Sequence, residues 1–307
     1  MLNKLGRLIL CFVPLVVTLI FQTIIAIPVM VVYLIKDMAE MANNSGGVVN
    51  ITPEFFMNPE FLTPVNLTTL VYYNFFAAIG FGLFYYLVMK DKYKASVKET
   101  FGVPSVLGIL LLFVGFEGIV SSVMLVLQNL IPKAFEAYTQ LIEQSGLAQL
   151  SLVSTLAAVV LAPISEEIIF RGITFKLARK FSAKFWVANT IQALAFGIAH
   201  MNLIQGTYAF VMGLILGVVY KKFHSLIATM IAHLAFNFAG TWLESLIYGA
   251  DTQVNFLKAG IVCACAVILT VGGFLMIAKY RKTPSNESRF DLEYAYENPQ
   301  VTAPVSE

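Results

Sequence analysis

Charge is scarce in this chain. Asp, Glu, Lys and Arg make up 12% of its 307 residues, about half the 25% usual in soluble proteins. So few charges cannot build a surface for water to wet, and 58% hydrophobic residues place the chain in lipid. Cysteine is scarcer still. Cys11, Cys263 and Cys265 are the only three; they sit in apolar stretches without CxxC spacing, as small buried hydrophobes and not as a disulfide framework or metal site. A net charge of +2, with basic residues confined to short loops, excludes a nucleic-acid binder, and the apolar composition excludes a disordered protein. Some hydrolase signatures are also missing. There is no HExxH and no GxSxG, and Asp37, Asp91, Asp251 and Asp291, the only aspartates, all lie outside the apolar runs and leave no intramembrane aspartyl pair.

What is present is a succession of apolar runs. They extend over Leu8–Ile35, Val65–Met89, Ser105–Ile131, Leu150 to about Phe170, Trp186–His200, Leu203–Tyr220, Phe223–Ile247 and Phe256–Ala278. A membrane-spanning helix takes about 20 apolar residues, so the sequence predicts an all-α polytopic membrane protein with about eight transmembrane helices. Eight spans would consume more than half the chain and leave no room for a large soluble domain. The first run is too long for a secretory h-region of about 7 to 15 residues and reads as an uncleaved span. Runs five and six are short and joined by almost nothing, so seven spans are the alternative.

The cations test that count. Lys4, Arg7, Lys90, Lys92, Lys94, Lys98, Arg171, Lys176, Arg179, Lys180, Lys184, Lys221, Lys222, Lys279, Arg281, Lys282 and Arg289 fall on one side of an eight-span alternation. Only Lys36, Lys133 and Lys258 fall on the other. Because positive charge stays cytoplasmic in short loops, the expectation is a multi-pass cell-membrane protein with both termini cytoplasmic and the Lys36–Pro64 loop outside. The division expected is spans one to three over 1–149, a catalytic membrane core of helices four to seven over 150–247, a last span over 248–282, and a disordered cytosolic tail over 283–307 that is acidic and proline-bearing. No repeat and no pair of matching broken helices suggests an inverted-repeat transporter.

An ionisable group inside a bilayer costs about 2.5 to 3.5 kcal/mol on insertion scales, so each one is a functional candidate. Run four ends in SEEIIFRG. There Glu167 and Arg171 are four apart in the favourable order for a helical ion pair, whereas Glu166 is turned about 100° away and can lack a positive partner in its own helix. The plainer reading is a helix end wetted by headgroups. Run five ends in FGIAH, with Phe196 and His200 on one face, where a structural histidine is the ordinary explanation. Run seven carries HLAFN, with His233 and Asn237 stacked on one face well inside the span. At 1.5 Å per residue, Glu166, His200 and His233 lie about 20, 24 and 16 Å from the nearest cationic helix ends. They meet only if helix four continues past Arg171 and buries that guanidinium. Glu117, between Gly115 and Gly118, is expected to pair with Arg171, to line a cavity or to sit at the interface. Gly213 and Gly217 read as a helix-packing face, and His224, beside Lys221 and Lys222, as solvated.

Taken together and in order, Glu166-Glu167-xxx-Arg171, Phe196-xxx-His200 and His233-xxx-Asn237 resemble the CAAX-processing and bacteriocin-processing (CPBP, or Abi) family of intramembrane proteases, which includes the Rce1-type prenyl-protein endopeptidases. The resemblance covers about Ser151 to Ala239. It implies peptide-bond hydrolysis, with Glu166 and His200 activating water, His233 and Asn237 stabilising the oxyanion, and Glu167, Arg171 and Phe196 in support. It also implies a peptide or protein substrate, membrane-associated or not, delivered to the lipid-embedded site from the cytosolic side or laterally from the bilayer. A carboxylate can take a water proton, and an imidazole and an amide can donate to a developing oxyanion. A zinc ion on Glu166, His200 and His233, with water as fourth ligand, fits the same residues, so the cofactor is either none or zinc. The rivals are a non-catalytic scaffold of the immunity or resistance kind and a proton-coupled transporter.

Overall fold

The computed structural model describes residues 4–44, 51–89, 101–182, 184–248 and 256–279. Among these there are helices and no strands, because each long segment is apolar and helices satisfy their own backbone groups without water. The helices are α1 (Lys4–Asn44), α2 (Pro59–Met89), α3 (Val103–Leu130), α4 (Pro132–Ser145), α5 (Leu152–Phe181), α6 (Phe185–Ala199), α7 (Leu203–Phe223), α8 (Leu226–Ile247) and α9 (Phe256–Lys279). The chain is an all-α polytopic membrane protein.

Seven of these helices are long and apolar enough to cross a bilayer. The remaining apolar run, the fifth, becomes α6, with 15 residues and about 22 Å of rise, short of the ~30 Å hydrocarbon core. The count of eight therefore holds for apolar helices but not for full-length spans. α1 is longer than its apolar run. It continues through Lys36 and Asp37 to Asn44, so the expected outer loop is helical at its start, and it is helical again from Pro59, where the Asn58 side chain accepts from the Glu60 N–H and Pro59 opens the first turn. Residues 45–50, the Lys90–Lys98 cations and the tail over 283–307 lie outside the described residues.

α4 is the element that apolar-run counting misses. Its Phe135, Tyr138 and Ile142 share one face, while Lys133, Glu136 and Gln140 are turned away, and it stops at Gly146, whose φ of +76° suits a residue without Cβ. This amphipathic helix packs on α2 and α3 at the end of the bundle opposite the cationic helix ends.

Close approach through glycines sets the rest. In lipid, small residues supply the packing that hydrophobic burial supplies in water. α3 and α9 run antiparallel through Gly108, Gly115 and Gly273; a Cβ on Gly115 would lie 2.6 Å from the Ala266 carbonyl. α6 and α7 are paired similarly, since a Cβ on Gly197 would reach within 2.7 Å of the Gly206 carbonyl, one on Gly213 would press on Ala193, and one on Gly217 would overlap Asn189. The packing role expected of Gly213 and Gly217 is the one they have. His224 departs from expectation: it is buried, has φ +48° and stacks on Tyr220 with ring centroids 5.9 Å apart. The turn after α7 folds the imidazole back onto its own helix instead of into solvent.

Candidate active site

α5 is one continuous 30-residue helix that passes Arg171 and buries it completely. This is the geometry the convergence of the three motifs required. Two π-helical stretches, Leu156–Leu161 and Ile168–Thr174, flank a short α segment that carries both glutamates. A π turn lengthens the backbone ring and leaves carbonyls without their usual partner. One of them, on Ala158, accepts from Asn237 Nδ2 at 2.7 Å and ties α8 to α5.

The two glutamates face different surroundings. Glu167 is fully buried; its Oε1 accepts from Arg171 Nη1 at 2.7 Å and from His233 Nδ1 at 2.8 Å. Arg171 also reaches the Gly213 carbonyl at 3.4 Å and lies over the Phe196 ring, 4.6 Å from its centroid. Glu166 remains 23% exposed and directs Oε2 to within 3.6 Å of His233 Nε2. The motif spacing predicts the Glu167–Arg171 pair. It does not predict that Glu167 also holds His233, because that contact is between helices.

Phe196 is the packing hub. Its buried ring lies edge-on to His200, centroids 5.0 Å apart, to His233 at 5.7 Å and to Phe170 at 5.1 Å. His200 caps α6, its Nδ1 2.9 Å from the Phe196 carbonyl. A carbonyl only accepts, so this Nδ1 carries a proton, and in the neutral ring Nε2 keeps its lone pair. For His233 the same logic gives Nδ1–H toward Glu167, and donation from Nε2 as well requires the doubly protonated ring. His200 interacts electrostatically with Glu166, His233 and Arg171. Glu166, Glu167, Arg171, Phe196, His200, His233 and Asn237 thus come from three helices into one neighbourhood.

Several polar residues here were not singled out from the sequence. Gln192 Nε2 donates to the Gly213 carbonyl at 2.9 Å and to Asn189 Oδ1 at 2.8 Å, while Asn189 Nδ2 donates to the Leu214 carbonyl at 3.0 Å. Together with Arg171 they make a buried polar belt across α5, α6 and α7. On the other flank Ser165 donates to Asn74 Oδ1 of α2 at 2.6 Å, and the neighbouring Tyr73 is buried within the electrostatic reach of Glu166. The amides at 189 and 192, three apart in an apolar run, were the available signal; Asn74 and Ser165 gave none.

A zinc site would need three ligands at about 2.0 to 2.2 Å from one ion. Glu166 Oε2 and His233 Nε2 are near enough to share one, but no group of three His, Cys, Asp or Glu side chains among the described residues could hold a metal. As arranged, these residues do not make a metal centre.

A cavity of about 810 Å³ reaches Asn237 from the end of the bundle that α4 covers. Glu117 lines it. Ser121 donates to Glu117 Oε1, and Arg171 is engaged elsewhere, so of the three expectations for Glu117 the cavity is the one realised. Tyr138 of α4 and Tyr208 of α7 interact across the same space. Burial pushes the Tyr138 phenol above its ordinary value, which keeps it a neutral O–H group.

Residues 148–239 match the family described as type II CAAX prenyl endopeptidase Rce1-like. That segment is similar to the Rce1-like family. The Rce1-like segment begins just before α5 and ends just after Asn237, so it includes all three motifs and excludes α1 to α4 and α9. No curated protein and no solved structure matches the chain. The seven long apolar helices make this a multi-pass membrane protein, whose 148–239 segment is similar to CAAX endopeptidases.

Proposed function

We propose that the protein is an intramembrane endopeptidase of the cell membrane, with both termini cytoplasmic, which hydrolyses a peptide bond of a peptide or protein substrate by direct attack of water. The single observation that carries this reading is the contrast between Glu166 and Glu167, adjacent carboxylates of which one is partly open beside a histidine and the other is buried between Arg171 and His233.

The chemistry follows from which atoms are free. Water lies between the Glu166 carboxylate and the unprotonated Nε2 of His200, both acceptors for its two protons. Glu166 takes a proton as the oxygen attacks the carbonyl carbon, a transfer worth typically 10²- to 10⁴-fold in rate. Charge then develops on the carbonyl oxygen. His233, held by Glu167 through Nδ1, donates from Nε2 in its doubly protonated form, and Asn237 donates its second amide hydrogen while the first remains on Ala158. In that form Glu166, Glu167, Arg171 and His233 sum to zero, so the buried cluster has no uncompensated charge. Protonated Glu166 returns its proton to the leaving amine as the tetrahedral intermediate collapses, which restores the carboxylate.

The cavity reaching Asn237 supports entry from the end away from the cationic helix ends, or laterally from the bilayer. On the charge distribution that end is extracytoplasmic, so the entry route and the orientation are tested together. The experiment uses the full chain in detergent with quenched-fluorescence peptides. Cleavage that disappears in Glu166→Gln and in His200→Ala is expected; equal cleavage by the native protein and both variants overturns the reading.

A further inference from the structure

The cavity extends well beyond the atoms that hydrolysis needs, and its far part has a distinct chemistry. Glu117 of α3 and Glu244 of α8 both line it, with Ser121 beside the two of them. No lysine, arginine or histidine is among its lining residues. Glu117 is only 6% exposed, and its Oε1 accepts from Ser121. A buried carboxylate with no cation among the residues around it is costly, and it lines a space large enough to admit a side chain. Tyr138 and Tyr208 add aromatic faces and neutral hydroxyls to the same space, surroundings that favour a cation over an anion.

Distance relates this region to the reacting atoms. Glu117 Oε1 lies 3.2 Å from where a Cβ on Gly240 would stand, and Gly240 is one helical turn beyond Asn237, about 4.5 Å along α8. Glu244 is seven residues beyond Asn237, about 10 Å on the same rise. An extended peptide advances about 3.3 to 3.6 Å per residue, so the two carboxylates stand about one to three residues from the bond at Asn237.

We infer that this region is a specificity subsite for a lysine or arginine side chain about one to three residues from the scissile bond of the substrate, with Glu117 and Glu244 as its acceptors. The inference rests on the endopeptidase reading, and its test is chosen to be independent of catalysis. Fluorescein-labelled ten-residue alanine–leucine peptides carrying one lysine, moved through every position, are bound to the detergent-solubilised full-length Glu166→Gln protein and compared with the same peptides carrying norleucine. Anisotropy gives the affinities.

Lysine at one or two adjacent positions is expected to tighten binding about tenfold, the size of one charge-assisted hydrogen bond. Adding Glu117→Gln and Glu244→Gln should remove that gain. Lysine and norleucine peptides that bind alike at every position, or bind nowhere, overturn the subsite, and this comparison needs no altered cavity. A lysine gain that survives both glutamine substitutions overturns the assignment to these residues. A lysine gain in a protein whose native form cleaves nothing would leave the subsite standing and remove the protease; cleavage without a lysine gain would do the reverse.

Discussion

α1 and α5 are both long apolar helices, yet they serve opposite ends. In its most apolar stretch α1 buries 22% of its residues, and α5 buries 50%. α1 turns Val16, Ile20, Ile24 and Ile27 outward, keeps only a few small or medium residues against the bundle, and could exchange one apolar side chain for another without changing a partner. α5 carries Ser165, Glu166, Glu167, Arg171 and Thr174 within ten positions, four of them completely or almost completely buried. The comparison teaches that apolarity makes a helix span, while the polar residues a span retains decide where it stands in the bundle. Ser165, Glu167 and Arg171 find partners on α2, α6, α7 and α8, and those partners fix the four helices around α5.

The largest departure between the two helices is expected at Arg171. Arg171→Ala leaves Glu167 buried without its cation and should lower stability by about 3–5 kcal/mol, and combining it with Glu167→Gln should cost far less than the sum, because the two act as one pair. Thermal unfolding in detergent of the two single variants and the double checks this; additive losses would separate the pair.

Asn237→Ala should come next. It removes both the bond to Ala158 and the proposed oxyanion donor, and a loss of about 10²- to 10³-fold in kcat is expected with a smaller fall in melting temperature. If kcat survives while melting falls, Asn237 is only a tie between α8 and α5.

Gly217→Ala probes the belt behind the site. The added methyl would overlap Asn189, and overpacking of this kind costs about 1–3 kcal/mol. The smallest effect belongs to α1: Ile24→Ala on its outer face should change melting within about 0.5 kcal/mol. A large loss there would erase the contrast between the two helices.

Much of this was legible in the sequence, for identifiable reasons. Apolar runs and an i, i+4 charge pair are local, so the helices, the Glu167–Arg171 bridge and the faces of Phe196–His200 and His233–Asn237 could be read from spacing alone. The 28-residue and longer helices were longer than the apolar runs inside them because polar residues such as Lys36 continue a helix once it leaves lipid. α4 escaped notice because an amphipathic helix of 14 residues has no apolar run to count. Beyond the convergence of the three motifs, the individual contacts between helices were not legible. Glu167 to His233, Asn237 to Ala158 and Ser165 to Asn74 span 66, 79 and 91 positions, and only packing brings them together. His224 was misread because the left-handed turn after α7 reverses its direction.

The central claim is that adjacent glutamates have separate roles, and one paired measurement tests it most directly: thermal unfolding beside reporter-peptide cleavage for Glu166→Gln and Glu167→Gln in the same detergent. Glu166 is partly open and answers only to a histidine, so Glu166→Gln should melt close to the native protein with cleavage reduced by at least about 10²-fold. Glu167 holds Arg171 and His233, so Glu167→Gln should melt early. A Glu166→Gln protein that still cleaves, beside a stable and inactive Glu167→Gln, would contradict the account and exchange the two roles.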